Sequence, residues 1–202
     1  MTSVATFALL WMVAVVTPGP NVLLITGTAL DSSRRVAAWT VAGVLVGTVC
    51  WGLAGFFGVG LLFGAAPWLY VGLKIAGGTY IAYLGAKLIF RKSGPLDDAI
   101  AVGRGSGRRA FRRGLTTQLS NPKSGAFVAT IFAATMPREA PLSAGLAAIA
   151  IMVTISGGFY GLWIWGLGRD WIRARYLRAR RAVERATGAL FVLFGINIAI
   201  SR

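Results

Sequence analysis

Thr17-Pro18-Gly19-Pro20-Asn21 and Ser120-Asn121-Pro122-Lys123 stand about a hundred positions apart, each with a long apolar run after it. Proline inside a helix removes an intrahelical hydrogen bond and clashes with the preceding turn. Within a bilayer, each backbone group freed this way costs several kcal/mol unless buried protein or a water-filled cavity satisfies it. Two such breaks at matching places in two halves of a chain point to a transporter binding site.

The composition puts these breaks in a membrane. The 202-residue chain is 56% hydrophobic and only 13% charged, with a mean hydropathy of +0.69, outside the range of soluble domains. Six stretches carry few or no charges, about 4–29, 36–63, 67–90, 114–136, 142–168 and 184–200. Most exceed the roughly 20 residues needed to cross the hydrocarbon core, and the last is short. No Lys or Arg precedes Arg34, so the first stretch is expected to be a retained span rather than a signal peptide. The lone Cys50 rules out an intramolecular disulfide.

A formal charge of +15 suggests nucleic acid at first sight, but its placement argues otherwise. The basic residues cluster at Arg34 and Arg35, from Arg91 to Arg113, and from Arg169 to Arg185, whereas the alternate connections carry almost none. That alternation is the positive-inside pattern. It predicts a multi-pass protein of the bacterial plasma (inner) membrane with both termini outside, no nucleic-acid partner, and anionic lipid headgroups against the basic loops.

The stretch from Lys92 to Arg113, with Ser93, Gly94, Pro95 and the acid pair Asp97 and Asp98, has the composition of a cytoplasmic linker. It divides the chain into a first three-helix unit (1–92), a basic linker (93–110) and a second three-helix unit (111–202). Gly78 and Gly85 of the third span match Gly188 and Gly195 of the sixth at the same separation. With three spans per unit, the second must enter the membrane in the opposite sense. The expected fold is therefore an all-α integral membrane protein of six helices in two inverted repeats, with helices 1 and 4 broken. Glycine pairs four apart, Gly43 and Gly47, Gly60 and Gly64, Gly157 and Gly161, are expected to let helices approach closely. The basic run from Arg169 to Arg185 reads as an interfacial helix of its own.

Each break has its own chemistry. Asn121 before Pro122 is an N-cap followed by a first-turn proline, so a half-helix is expected to begin inside the membrane. Its first amides and its dipole attract a carboxylate, and Lys123 adds a full charge. An unpaired lysine at that depth costs about 2.5–3.5 kcal/mol, so it should face a cavity or a partner. Thr17 or Gly19 caps the start at Pro18 or Pro20, and Asn21 brings an amide that donates and accepts. Asn21 and Asn121 are both expected a few turns from the cytoplasmic ends of their spans, where an ideal mirror repeat would put the breaks at opposite depths. The alternative is a pair of kinked helices whose prolines only shape packing.

The candidate substrate-binding residues are thus Thr17, Pro18, Gly19, Pro20, Asn21, Ser120, Asn121, Pro122 and Lys123, with Tyr80 and Tyr83 of the third span covering the solute. Lys74, Ser156 and Asn197 are secondary path-lining candidates. The chain has no histidine, and its six acids, Asp31, Asp97, Asp98, Glu139, Asp170 and Glu184, fall in loops or at span ends. Asp31 and Asp170 are the candidates for proton coupling. No phosphate-binding glycine loop is present, and no cofactor or metal is expected.

VVTPGPNVLLITG at 15–27, LKIAGGTYIAYLGAKLIFRK at 73–92, FRRGLTTQLSNPKSGAFVATIFAATMP at 111–137 and the terminal ATGALFVLFGINIAI together resemble the LysE/RhtB-type amino-acid exporters. The resemblance spans nearly the whole chain, although the glycine usual soon after the basic pair Arg34-Arg35 is missing. It implies a gradient-driven secondary transporter that exports amino acids or related small metabolites by alternating access, with the two motifs forming the substrate path. It leaves a homo-oligomer open. The rival classes are a non-transporting membrane scaffold and a membrane-embedded enzyme. A single cysteine and no histidine weigh against the enzyme.

Overall fold

The computed structural model describes residues 4–17, 19–65, 67–90, 106–137, 139–167 and 170–200. Among them are eight helices and no strand: α1 (Val4–Val16), α2 (Pro20–Asp31), α3 (Arg34–Ala65), α4 (Pro67–Phe90), α5 (Gly107–Leu119), α6 (Pro122–Thr135), α7 (Leu142–Leu167) and α8 (Asp170–Ile200). The chain is an all-α protein with apolar helices of membrane-spanning length. Arg34–Leu61, Leu142–Leu167 and Arg181–Ile200 are each long and apolar enough to cross, and α1 with α2, bent by 54°, is long and apolar enough to be a fourth if the pair counts as one span. In addition, α4 contributes 24 residues, and α5 with α6 makes a second interrupted pair.

The prolines interrupt the helices where the sequence places them. Pro20 opens α2 behind an extended Gly19, and Pro122 opens α6 behind an extended Asn121. Each break falls near the middle of its pair. The halves are 13 and 12 residues in α1 and α2, and 13 and 14 residues in α5 and α6. At 1.5 Å per residue each half is roughly 20 Å long.

Two helix contacts are close because glycine makes them so. α4 lies along α8 in antiparallel fashion, and a Cβ on Gly78 would fall against the carbonyl oxygen of Gly195, and one on Gly195 against that of Gly78. Gly85 and Gly188 meet in the same reciprocal way. The second contact is α3 on α5, where a Cβ on Gly43 would meet the Phe111 carbonyl and one on Gly114 would meet that of Thr40. Gly47 leaves room for the side chain of Gln118. Backbone approach of this kind is how helices associate in lipid, where apolar burial offers little.

Other glycines behave differently from expectation. Gly60 and Gly161 face open space, and Gly157 has only Leu45 at ordinary contact distance, so these do not mediate close packing. The surroundings of Gly64 lie outside the described residues, as does 91–105 in the linker. The basic run after residue 169 is not a separate interfacial helix either. α8 is continuous over 31 residues, roughly 46 Å, so its arginine-rich first turns project beyond a 30 Å hydrocarbon core. The arginines of α5 are likewise helical from Gly107 onward, with Arg108, Arg109 and Arg112 exposed.

The core is aromatic where the broken pairs meet their neighbours. Phe7 and Phe132 meet edge to face at 5.4 Å between ring centroids, and Phe127 lies 5.0 Å from Phe191. Both contacts bridge elements distant in sequence. A Gly85→Val substitution forces side-chain atoms onto the α8 backbone. It should cost about 3 kcal/mol, the upper end for overpacking, read as a lowered melting temperature in micelles. Gly161→Ala should leave melting unchanged.

Candidate functional site

The two breaks meet. Asn21, one residue into α2, donates from Nδ2 to Gln118 Oε1 at 2.6 Å, reaching the last turn of α5. Lys123, one residue into α6 past Pro122, donates from Nζ to Ala14 O at 3.1 Å and to Thr17 O at 3.2 Å, reaching the end of α1. The second residue of each re-started helix thus braces the end of the other interrupted one. The brace fits the electrostatics, since a helix C-terminus carries partial negative charge and unpaired carbonyls.

A backbone account explains why the breaks are tolerated. At the end of α1, Val13 O accepts from Thr17 N at 3.2 Å and from Thr17 Oγ1 at 2.6 Å, and Lys123 takes the carbonyls of Ala14 and Thr17. At the end of α5, Thr116 O accepts from Ser120 N and from Ser120 Oγ, and Gln118 O accepts from Trp51 Nε1 at 2.9 Å. The starts differ. Asn121 Oδ1 caps α6 by accepting from Lys123 N at 3.1 Å, whereas Gly19 offers α2 no side-chain cap. Only α2 therefore presents an uncapped first turn.

Between the breaks is a partly enclosed chamber of about 30 Å³ with polar groups on its wall. It is walled by Thr17, Gly19, Asn21, Asn121 and Lys123 from the breaks and by Trp11, Thr48, Gln118, Ser124, Ser156 and Tyr160 from the surrounding helices. That volume holds about one water and no amino acid. Gln118 is the hub: its Oε1 accepts from Asn21 and from Ser124 Oγ at 3.0 Å, and its Nε2 donates to Thr48 Oγ1 at 3.0 Å. Trp11 Nε1 donates to Met152 O and Ser156 Oγ, each at 3.0 Å, and Tyr160 lines the chamber with Asn21. One atom stands out. Asn21 Oδ1 is buried without a hydrogen-bond partner.

A larger cavity of about 480 Å³ lies on the other side of the breaks. Thr17, Gly19, Asn121 and Lys123 line both spaces, so they form the wall between them. Pro20, Pro122 and Tyr80 face only the larger one, with Lys87, Leu84, Leu88 and Phe191. Of the residues singled out from sequence, then, Thr17, Gly19, Pro20, Asn21, Asn121, Pro122, Lys123 and Tyr80 come together. Tyr83 is exposed, with its ring 6.2 Å from that of Tyr80, and Ser120 is exposed and spent on its own helix. Pro18 lies outside the described residues, as do the side chains of Asp31, which ends α2, and Asp170, which opens α8.

The sequence reading missed Gln118, Thr48, Ser124, Trp11 and Tyr160. Gln118 lies only three residues before Asn121, and a polar residue that near a proline break was the available signal. Glu184 lies in the first turn of the apolar stretch Arg181–Ile200, at a span end as its sequence position implied, and is 1% exposed, one turn before the Gly188 contact.

An all-helical membrane protein whose interrupted helices brace one another around a polar chamber has the construction of a solute translocator. The comparisons agree, and they are specific: residues 12–202 match the family model for the LysE type translocator, and the chain belongs to that family. It is a membrane translocator, not an enzyme. It is 28% identical to the threonine efflux protein of Escherichia coli (strain K12) over 98% of this chain and 97% of that one. It is also 28% identical to the homoserine/homoserine lactone efflux protein of Salmonella typhi over 92% of this chain and 90% of that one. No solved structure matches.

Gln118→Leu removes partners from Asn21 Nδ2, Thr48 and Ser124 at once. Each buried polar group left unsatisfied costs about 1–3 kcal/mol, so the melting temperature should fall clearly. Thr116→Val, which loses only bonds to its own helix, should melt like the parent.

Proposed function

We propose that this chain exports an amino acid or a related small metabolite across the bacterial inner membrane, by gradient-driven alternating access around the paired breaks. Carrying most weight is the convergence of both interrupted helices on one polar chamber in a chain of the LysE family. The solute's carboxylate goes to the uncapped first turn of α2, whose amides and dipole favour an anion. Lys123 and Asn121, on the wall between the two spaces, meet it on entry, and Tyr80 covers the side chain from the larger cavity. The relatives are named for threonine and homoserine, both hydroxylated. The chamber's hydroxyl and amide groups, from Thr48, Ser124, Tyr160 and Gln118, suit a side-chain hydroxyl here as well.

The arrangement we favour has six spans in two inverted repeats, 1–92 and 111–202, joined by the basic linker 93–110, with both termini outside. Two observations support it. The Gly78–Gly195 and Gly85–Gly188 contacts exchange with each other under a twofold rotation that maps Gly78 on Gly188 and Gly85 on Gly195. Each broken pair also has halves of near-equal length, as repeats related by an axis in the membrane plane would have. Rocking one repeat on the other would open the chamber to each side in turn, while the exposed Arg108, Arg109 and Arg112 rest on anionic headgroups.

For coupling, the candidates are Asp31 and Asp170 at helix ends, and the buried Glu184. A buried carboxylate at the α4–α8 contact is costly to keep and is a functional candidate by default. In proteoliposomes, Asn21→Ala, Pro122→Ala and Lys123→Met should each lower efflux of labelled threonine or homoserine at least tenfold with membrane abundance unchanged. Normal flux in all three would defeat the reading. Glu184→Gln should abolish gradient-driven accumulation and leave solute exchange at equal concentrations intact. Equal loss of both would assign Glu184 to structure instead.

A further inference from the structure

Lys123 donates to Ala14 O and Thr17 O, the carbonyls that the break leaves at the end of α1. Its ammonium also lies 5.7 Å from the centroid of the Phe191 ring, within range of a cation–π attraction. Asn21 Oδ1, on the same chamber and 8% exposed as a residue, has no donor. Two helix-end carbonyls and an aromatic face thus surround the ammonium, and a free amide oxygen stands on the wall of the chamber that Lys123 also borders. No carboxylate lines it, so a cation there is held by dipoles alone.

We propose that these groups form a cage for the solute's α-ammonium group, and that Lys123 fills it as a tethered surrogate until the solute displaces it. This rests on the export reading for its ligand class. A lysine anchored in α6 reaches two acceptors and leaves the third, Asn21 Oδ1, unpartnered. A free ammonium has three N–H donors and no tether, and takes all three. The exchange conserves charge inside the membrane. One ammonium leaves the α1 carbonyls as another arrives, and the released Lys123, which already borders the 480 Å³ cavity, pairs with the carboxylate entering beside it. The closed state therefore keeps the α1 end satisfied when no solute is present. It also excludes inorganic cations, because the site is never vacant.

The test uses full-length protein in nanodiscs and two probes that separate the ends of the zwitterion, 2-amino-1-propanol and propionate, with binding read by calorimetry. Lys123→Met removes the internal competitor, so the amino alcohol should bind about tenfold tighter or better than to the parent. Lys123→Arg, which keeps a cation, should bind it no better than the parent, and propionate should bind Lys123→Met no tighter. Amino-alcohol affinity unchanged or weakened in Lys123→Met overturns the proposal. Should Lys123→Met fail to fold, the parent supplies the second reading. Saturating amino alcohol should increase labelling of Lys123 by an amine-acylating reagent several-fold, by mass spectrometry, and propionate should not. Unchanged labelling overturns the proposal. Because these readouts are of binding, the expected pattern in a protein that exports no amino acid upholds the cage and refutes the export reading.

Discussion

The structure depends on the bond between an ammonium and the end of a broken helix. A lysine at bilayer depth costs about 2.5–3.5 kcal/mol on insertion scales, and a helix that stops in the membrane leaves carbonyls that cost several kcal/mol apiece. Lys123 sets one penalty against the other by donating to Ala14 O and Thr17 O. Charge-assisted hydrogen bonds of this kind contribute about 1.5–3 kcal/mol each. Neither defect is stable alone. The first broken span therefore requires the second, and their registers are locked by a contact between residues more than a hundred positions apart.

The reciprocal contact is weaker, and the difference matters. Asn21 meets the side chain of Gln118 rather than helix-end carbonyls, and those carbonyls are served by Trp51 and Ser120. So the α5–α6 break is closed from within the protein at both ends, with Asn121 as its cap. The α1–α2 break is closed at its carbonyl end by Thr17 and by a long, flexible side chain from the other break, and has no side-chain cap at its amide end. A zwitterion has one group for each end of such a break. On the proposed export reading, this asymmetry favours the first break for the solute and the second for the supporting frame, although both motifs look alike as strings.

Much of this was legible beforehand because proline and glycine act through the backbone, and the backbone is local. Pro20 and Pro122 could only open helices, and the matched spacing of Gly78, Gly85, Gly188 and Gly195 reappears as two reciprocal contacts. The LysE resemblance likewise rested on contiguous motifs. What was not legible depends on side chains choosing partners across the fold. Lys123 was readable as a charge beside an amide-rich helix start, yet its long stem turns toward the carbonyls of another helix. Gln118 shares α5 with four arginines, and what sets it apart is its facing toward α3 through the Gly47 gap, which no local pattern carries. Glu184 belongs to an arginine-rich run, and only a continuous α8 carries it into the helix contact.

The same geometry bears on how little has to move. The smaller chamber and the larger cavity share Thr17, Gly19, Asn121 and Lys123 as their wall, and three of these belong to the unwound segments rather than to helix interiors. Opening the wall on that side needs no helix to unwind further, because its hydrogen bonds are already broken there. It needs only that Lys123 give up two carbonyls while something else satisfies them. A solute that brings its own ammonium lowers that barrier, and one without it leaves two carbonyls without the donor that Lys123 gave them. Selectivity for amino compounds would then arise from the cost of opening as much as from affinity once bound.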